Sequence, residues 1–89
     1  MREIIKTTRF KRDLKKIASS GRYSVDDFLK VVDLLAQDKP LPEKYRDHGL
    51  TGWGDARECH IKPDWLLIYR KEGNHLILAR TGSHSELFS

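Results

Sequence analysis

The chain has 89 residues, 38% of them hydrophobic, with 17 Lys and Arg against 13 Asp and Glu for a formal net charge of +4. That length makes one domain, residues 1–89, with room for a single two-layer core. No stretch approaches the roughly 20 apolar residues of a membrane span, one cysteine excludes an internal disulfide, and the basic balance favours a polyanionic partner, either nucleic acid or an acidic protein.

Arg2 to Lys6, centred on Ile4 and Ile5, reads as a short first strand. Thr7 or Thr8 can cap the helix that follows, in which Phe10, Leu14, Ile17 and Ala18 fall on one stripe. Arg9, Lys11, Arg12, Lys15 and Lys16 crowd the rest of its surface, and Gly21 is a suitable stop. Ser24 with Asp27 resembles a capping box. The helix beyond it buries Val25, Phe28, Leu29, Val32, Leu35 and Ala36 and ends at Lys39-Pro40-Leu41-Pro42. The short link makes the two helices an antiparallel pair.

Glu43 to Asp55 reads as loop. Three strands follow: Ala56 to Ile61, Trp65 to Lys71, and His75 to Thr81, with a hairpin turn at Glu72-Gly73-Asn74. The tail from Ser83 to Phe88 forms one helical turn. The order is β-α-α-β-β-β, which predicts an α+β domain with two helices on one face of a twisted antiparallel sheet of about four strands. Alternation places Ala56, Glu58 and His60 on one face and Arg57, Cys59 and Ile61 on the other. It likewise groups Leu76, Leu78 and Arg80 opposite Ile77, Ala79 and Thr81. One face meets the helices, and the other is free to be a working surface.

Four side chains near that surface carry proton-transfer chemistry: His48 from the loop, His60 at a strand end, Asp64 in the next turn, and His84 past the last strand. Several imidazoles on a cationic surface suit RNA cleavage without metal. One group deprotonates the ribose 2′-hydroxyl, another protonates the leaving oxygen, and cations hold the phosphate. His75, beside a turn, reads as incidental. Cys59 and His60 point to opposite sides of a strand and no other ligand pair is close in the chain, so no metal site and no cofactor is expected.

The run from Asp47-His48 through His60-Ile61-Lys62-Pro63-Asp64-Trp65, followed by Arg80-Thr81-Gly82-Ser83-His84 and Leu87-Phe88, resembles the YafQ branch of the RelE/ParE toxin superfamily. The resemblance is close over the C-terminal half and lies in the strand-helix-helix layout elsewhere. It implies a RelE-like toxin of a type II toxin–antitoxin system, a ribosome-dependent endoribonuclease that cuts mRNA and is neutralised by a small antitoxin. The products would be a 2′,3′-cyclic phosphate and a 5′-hydroxyl. The resemblance assigns the general acid to His84, leaves the base open between His60 and Asp64, and gives His48 the charge-stabilising role. Arg80 would neutralise the phosphorane, and Trp65 and Phe88 would stack on bases. The antitoxin is expected to be acidic, and the toxin cytoplasmic, since MREIIKTTRFKRDLKK holds no apolar run for a signal peptide. Two other classes fit the same layout: a ParE-like binder of a topoisomerase, and a small basic nucleic-acid-binding module without activity.

Overall fold

The computed structural model describes residues 1–21 and 23–88. Among them, β1 (Glu3–Lys6) leads into α1 (Thr8–Ser20) and α2 (Val25–Ala36). Then come β2 (His48–Gly49), β3 (Arg57–Lys62), β4 (Trp65–Glu72), β5 (His75–Gly82) and a one-turn α3 (His84–Phe88). The α+β architecture is the expected one, but the sheet has five strands in the order β1-β5-β4-β3-β2. It is mixed rather than antiparallel, because β1 runs parallel to β5, pairing Ile4 with Leu76 and Ile5 with Ile77. The helical hairpin carries the chain back across one face, so β1 joins the sheet in the same direction as its last strand. The extra strand, β2, lies inside the segment expected to be loop, where Glu43–Tyr45 also forms a 3-10 turn.

Local chemistry accounts for the helix ends. The Thr7 hydroxyl accepts the Phe10 amide of α1 at 3.0 Å, and Gly21 closes α1 in the left-handed conformation at φ 69°. Ser24 caps α2 by accepting the Asp26 amide, but the expected capping box does not form. Asp27 turns away to pair with Lys62 of β3 at 3.3 Å.

The main core lies between helices and sheet. Phe10, Ile17, Phe28, Val31, Val32 and Leu35 meet Cys59, Ile61, Trp65, Leu67, Tyr69, Leu76 and Leu78. Val31 takes the place expected for Val25 and Leu29, which are 49% and 53% exposed. In α1 Leu14 is partly buried and Ala18 is exposed. A smaller core on the opposite face joins Ala56, Leu66, Ile68 and Leu87, with Leu50, Ala79 and Phe88 against it. That face is therefore half roofed by α3, and only its other half stays open.

Strict alternation fails in β5. The pairing shifts between Ile68 and Tyr69, which face Arg80 and Leu78, and so leaves Ala79 as an extra residue. Past this bulge Thr81, not Arg80, continues the core side. Its hydroxyl accepts the Trp65 indole N–H at 2.8 Å and donates to the Leu66 carbonyl at 2.7 Å.

Burial raises the Tyr69 phenol above its usual 10.0 and the Cys59 thiol above its usual 9.0. The hydrogen bond from Tyr69 to Asp47 adds to the first of these shifts. Both groups are neutral when protonated, so the stability they contribute is complete below their unfolded values and is lost as pH rises past them. Unfolding free energy should thus fall from about pH 9 upward, and Tyr69→Phe with Cys59→Ala should flatten that fall. Urea titrations across the range test it, and a level profile for the unmutated protein would refute it.

Candidate active site

Pairing and alternation build an acid–base cluster on the open half of the sheet. His48 of β2 sits directly across from Glu58 of β3, and His60 follows two residues later on the same face. Glu58 is only 5% exposed. Its Oε1 lies 3.3 Å from His60 Nε2 and 3.6 Å from His48 Nε2. Each ring also presents its other nitrogen to a carbonyl: His48 Nδ1 to Gly49 at 2.9 Å, and His60 Nδ1 to Pro63 at 3.5 Å.

Two devices hold the cluster in place. Asp47, beside His48, accepts the Tyr69 hydroxyl at 2.5 Å and an Arg57 N–H at 3.2 Å, which anchors the short β2 to the core side of the sheet. Arg57 is held further toward its charged form, first by its hydrogen bond to Asp47. On the far side, α3 opens with a reciprocal capping box. The Ser83 amide donates to Glu86 Oε1 at 2.9 Å, and the Glu86 amide donates to the Ser83 hydroxyl at 3.2 Å. Hydrogen bonds to the carboxylate from the Ser83 amide and the Ser83 side chain, with Lys16 at 3.2 Å, lower the Glu86 carboxyl below its usual value. Gly82 enters this turn at φ 155°, and a Cβ there would come within 3.3 Å of Glu86 Oε1, so any other residue would be strained and would push the capping carboxylate.

The result is a cleft lined by His48, Gly49, Leu50, Thr51, Trp53, Glu58, His60, His84 and Phe88. The Phe88 ring lies 4.9 Å from His84 and 6.0 Å from Trp53, edge to face with the latter. Three expected histidines and the terminal aromatic are thus brought together. Glu58 and the 40% exposed Trp53 join them unannounced. Alternation places Glu58 on the face of His60, and that two-residue spacing is the signal that could have singled it out.

Three expected residues are not among those lining the cleft. Trp65 is 1% exposed, packed against Tyr23 and Phe28 on the helix side. It has no face open to a base, and truncating such a residue costs about 3–5 kcal/mol of stability. Arg80 donates two hydrogen bonds to Asp13 of α1, at 2.8 and 3.0 Å, and Asp13 first among its neighbours raises it further toward the charged form. Asp64 is exposed in the β3–β4 turn, where its carbonyl accepts the Tyr23 hydroxyl at 3.2 Å.

The expectation that no metal-ligand pair is close needs correction. One ligand atom each from His48, Glu58 and His60 all lie within 4.8 Å of one another. Glu58 and His60 share one face of β3, and the β2–β3 register brings the more distant His48 to them. Two imidazoles and a carboxylate with open positions are a donor set that zinc or copper accepts.

Known proteins share this sequence and this fold. The mRNA interferase toxin YafQ of Escherichia coli K12 is 35% identical over 89 residues, covering 98% of this chain and 96% of that protein. A copper-bound mutant toxin from Helicobacter pylori superposes with a TM-score of 0.95 at 39% identity, over 99% of this chain and 100% of the other. The toxin fold of the E. coli DinJ–YafQ complex gives a TM-score of 0.88 at 34% identity, with both chains covered in full. The family model for the bacterial toxin YafQ of type II toxin–antitoxin systems matches residues 2–89. The chain belongs to the YafQ family of type II toxins.

Proposed function

We propose that this YafQ-family mRNA interferase cleaves RNA through acid–base chemistry in the cleft between β2, β3 and α3. The observation that carries the reading is a buried carboxylate, Glu58, within 3.6 Å of two imidazoles and sharing the cleft with His84. The base expected from the resemblance is His60 or Asp64. Both nitrogens of His60 already face oxygens, and Asp64 does not line the cleft, so the role passes to Glu58.

In this mechanism Glu58 takes the 2′-hydroxyl proton, and the 2′-oxygen attacks phosphorus. As Glu58 takes up that proton its hold on the two rings ends, and His48 and His60 turn their Nε2 atoms from Glu58 to the phosphoryl oxygens to stabilise the charge building there. The bond from phosphorus to the 5′-oxygen breaks as a ring N–H of His84 protonates that oxygen. A 2′,3′-cyclic phosphate and a 5′-hydroxyl remain. Phe88 and Trp53 offer apolar surface on which bases stack, a contact worth about 1–3 kcal/mol per base in single-strand binders. Arg80 acts at a distance, by keeping α1 and the end of β5 together through Asp13.

A partner follows from the family. The E. coli relative is seen in a complex with DinJ, and we take this basic chain to be held inactive by its own small acidic antitoxin. No helix among the described residues is long and apolar enough to cross a membrane.

Metal is expected to oppose this chemistry. An ion on His48, Glu58 and His60 would occupy the groups that must accept a proton or donate to the phosphate. A mutant H. pylori relative is copper-bound, and in this chain the His48, Glu58 and His60 set would make zinc or copper an inhibitor. The test is a translation reaction with defined mRNA, with and without ribosomes, in a chelator that removes zinc and copper but leaves the magnesium that keeps ribosomes intact, mapping both cleavage ends. Persistent cleavage with cyclic phosphate ends, lost on adding zinc or copper, is the expected outcome. Cleavage that requires added metal would overturn the mechanism.

A further inference from the structure

On the far side of His60 lies a second, more enclosed cavity of about 340 Å³. It is walled by the start of α2, the Glu43–Tyr45 turn and the β3–β4 turn. This volume lies within the range of small-molecule sites, about 300–1,000 Å³. Four cations line it, Lys30, Lys44, Arg46 and Lys62, against one carboxylate, Asp27. Asp27 is already paired with Lys62 at 3.3 Å. Among the described residues no carboxylate lies within ion-pair distance of Lys30, Lys44 or Arg46. The ammonium of Lys44 instead sits 5.1 Å over the ring of Tyr45, which also lines the cavity.

Two backbone features mark the place as more than a solvated patch. Arg46 adopts φ 48°, a left-handed conformation in which glycine or asparagine would be less strained. A bulky cation thus stands in a strained turn at the cavity wall. The β3–β4 pairing also slips between His60 and Lys62, giving β3 one extra residue next to the cavity. Such bulges re-aim side chains beside functional sites. His60 lines both this cavity and the cleft, so a chain leaving the cleft past His60 meets these cations next.

We propose that this cavity is a second nucleotide site, which holds the phosphate and base of a nucleotide flanking the scissile bond on the same RNA strand. Lys30, Lys44 and Arg46 meet the phosphate, and Tyr45 offers a ring face to the base. The proposal rests on RNA being the substrate of the adjoining cleft. It gives the toxin a purchase on substrate that the histidine cleft, lined by no Lys or Arg, does not itself provide.

The probe is 2′-O-methyl RNA, which lacks the attacking hydroxyl and so reports binding by the intact protein. Lys30→Glu with Lys44→Glu, and separately Lys30→Gln with Lys44→Gln, are titrated against a longer oligonucleotide and against a dinucleotide at several salt concentrations. Both pairs should weaken the longer oligonucleotide at least about tenfold at low salt, and lower the slope of log affinity against log salt by about 0.7 for each phosphate no longer neutralised. Dinucleotide binding should change far less. Equal affinity and slope for all three proteins would overturn the proposal. So would weakening by the Glu pair alone, which is long-range repulsion, or loss of antitoxin binding with RNA binding intact, which assigns the cavity to the antitoxin. If the unmutated protein binds RNA through these lysines yet never cuts it, the cavity stands and the cleavage reading falls. Circular dichroism checks that both variants are folded.

Discussion

Replacing His84 with alanine lowers the single-turnover cleavage rate by about 10²- to 10⁴-fold, the usual contribution of a general acid. The side chain stands on α3, which the Ser83–Glu86 capping box and the buried Leu87 hold independently of the imidazole. Fold, thermal stability and antitoxin binding should therefore survive, while growth inhibition is lost. A substrate whose leaving group needs no proton sharpens the assignment. RNA with a 5′-thio leaving atom at the cut should be cleaved almost as fast by His84→Ala as by the unmutated protein. A stably folded His84→Ala protein with full activity on ordinary RNA would end the assignment.

Glu58→Gln is the second large effect, and it decides the base. Glutamine keeps the volume of a side chain that is almost fully buried between two rings, and removes its capacity to accept a proton. Cleavage at saturating RNA should fall at least about 10²-fold, with a much smaller change in binding. Asp64→Ala, in the exposed turn, should leave most of the rate. His60→Ala should fall between, because a ring that donates to the phosphate strengthens the transition state without carrying the proton away. If Asp64→Ala is the crippled variant and Glu58→Gln cuts normally, the base belongs to the turn, as the family resemblance allows. If every variant binds RNA and cuts equally, the cluster does no chemistry, and a non-catalytic binding role moves ahead.

These two experiments bear on different parts of one assembly. Glu58, His48 and His60 are held by strand pairing, and His84 and Phe88 by a five-residue helix that one capping box and one buried leucine secure. The cleft lies where those two supports meet. Variants that loosen α3 would move His84 while leaving the three-residue cluster untouched, so the zinc or copper affinity of the cluster should persist when catalysis is lost.

Much of this was legible in the chain. Helical spacing of Phe10, Leu14 and Ile17, the caps at Thr7 and Ser24, and the stop at Gly21 are local chemistry, decided within a turn or two of backbone. So are the hairpin at Gly73 and the turn that starts α3. The motif around His48, His60, His84 and Phe88 named the family and the residues of the cleft, because spacing along the chain survives folding. What tertiary structure alone decided are the long-range pairings. Nothing local says that β1 runs parallel to β5, or that two residues at His48–Gly49 become a strand. Glu58 became central only when that strand laid His48 across from it, and the same register made a metal-ligand set by adding His48 to the Glu58 and His60 of one strand face. Trp65 and Arg80 looked equally available for substrate, but the core took the indole and Asp13 took the guanidinium. Hydrophobic and polar side chains advertise their chemistry in sequence, whereas their partners are set by which surfaces the fold buries against each other.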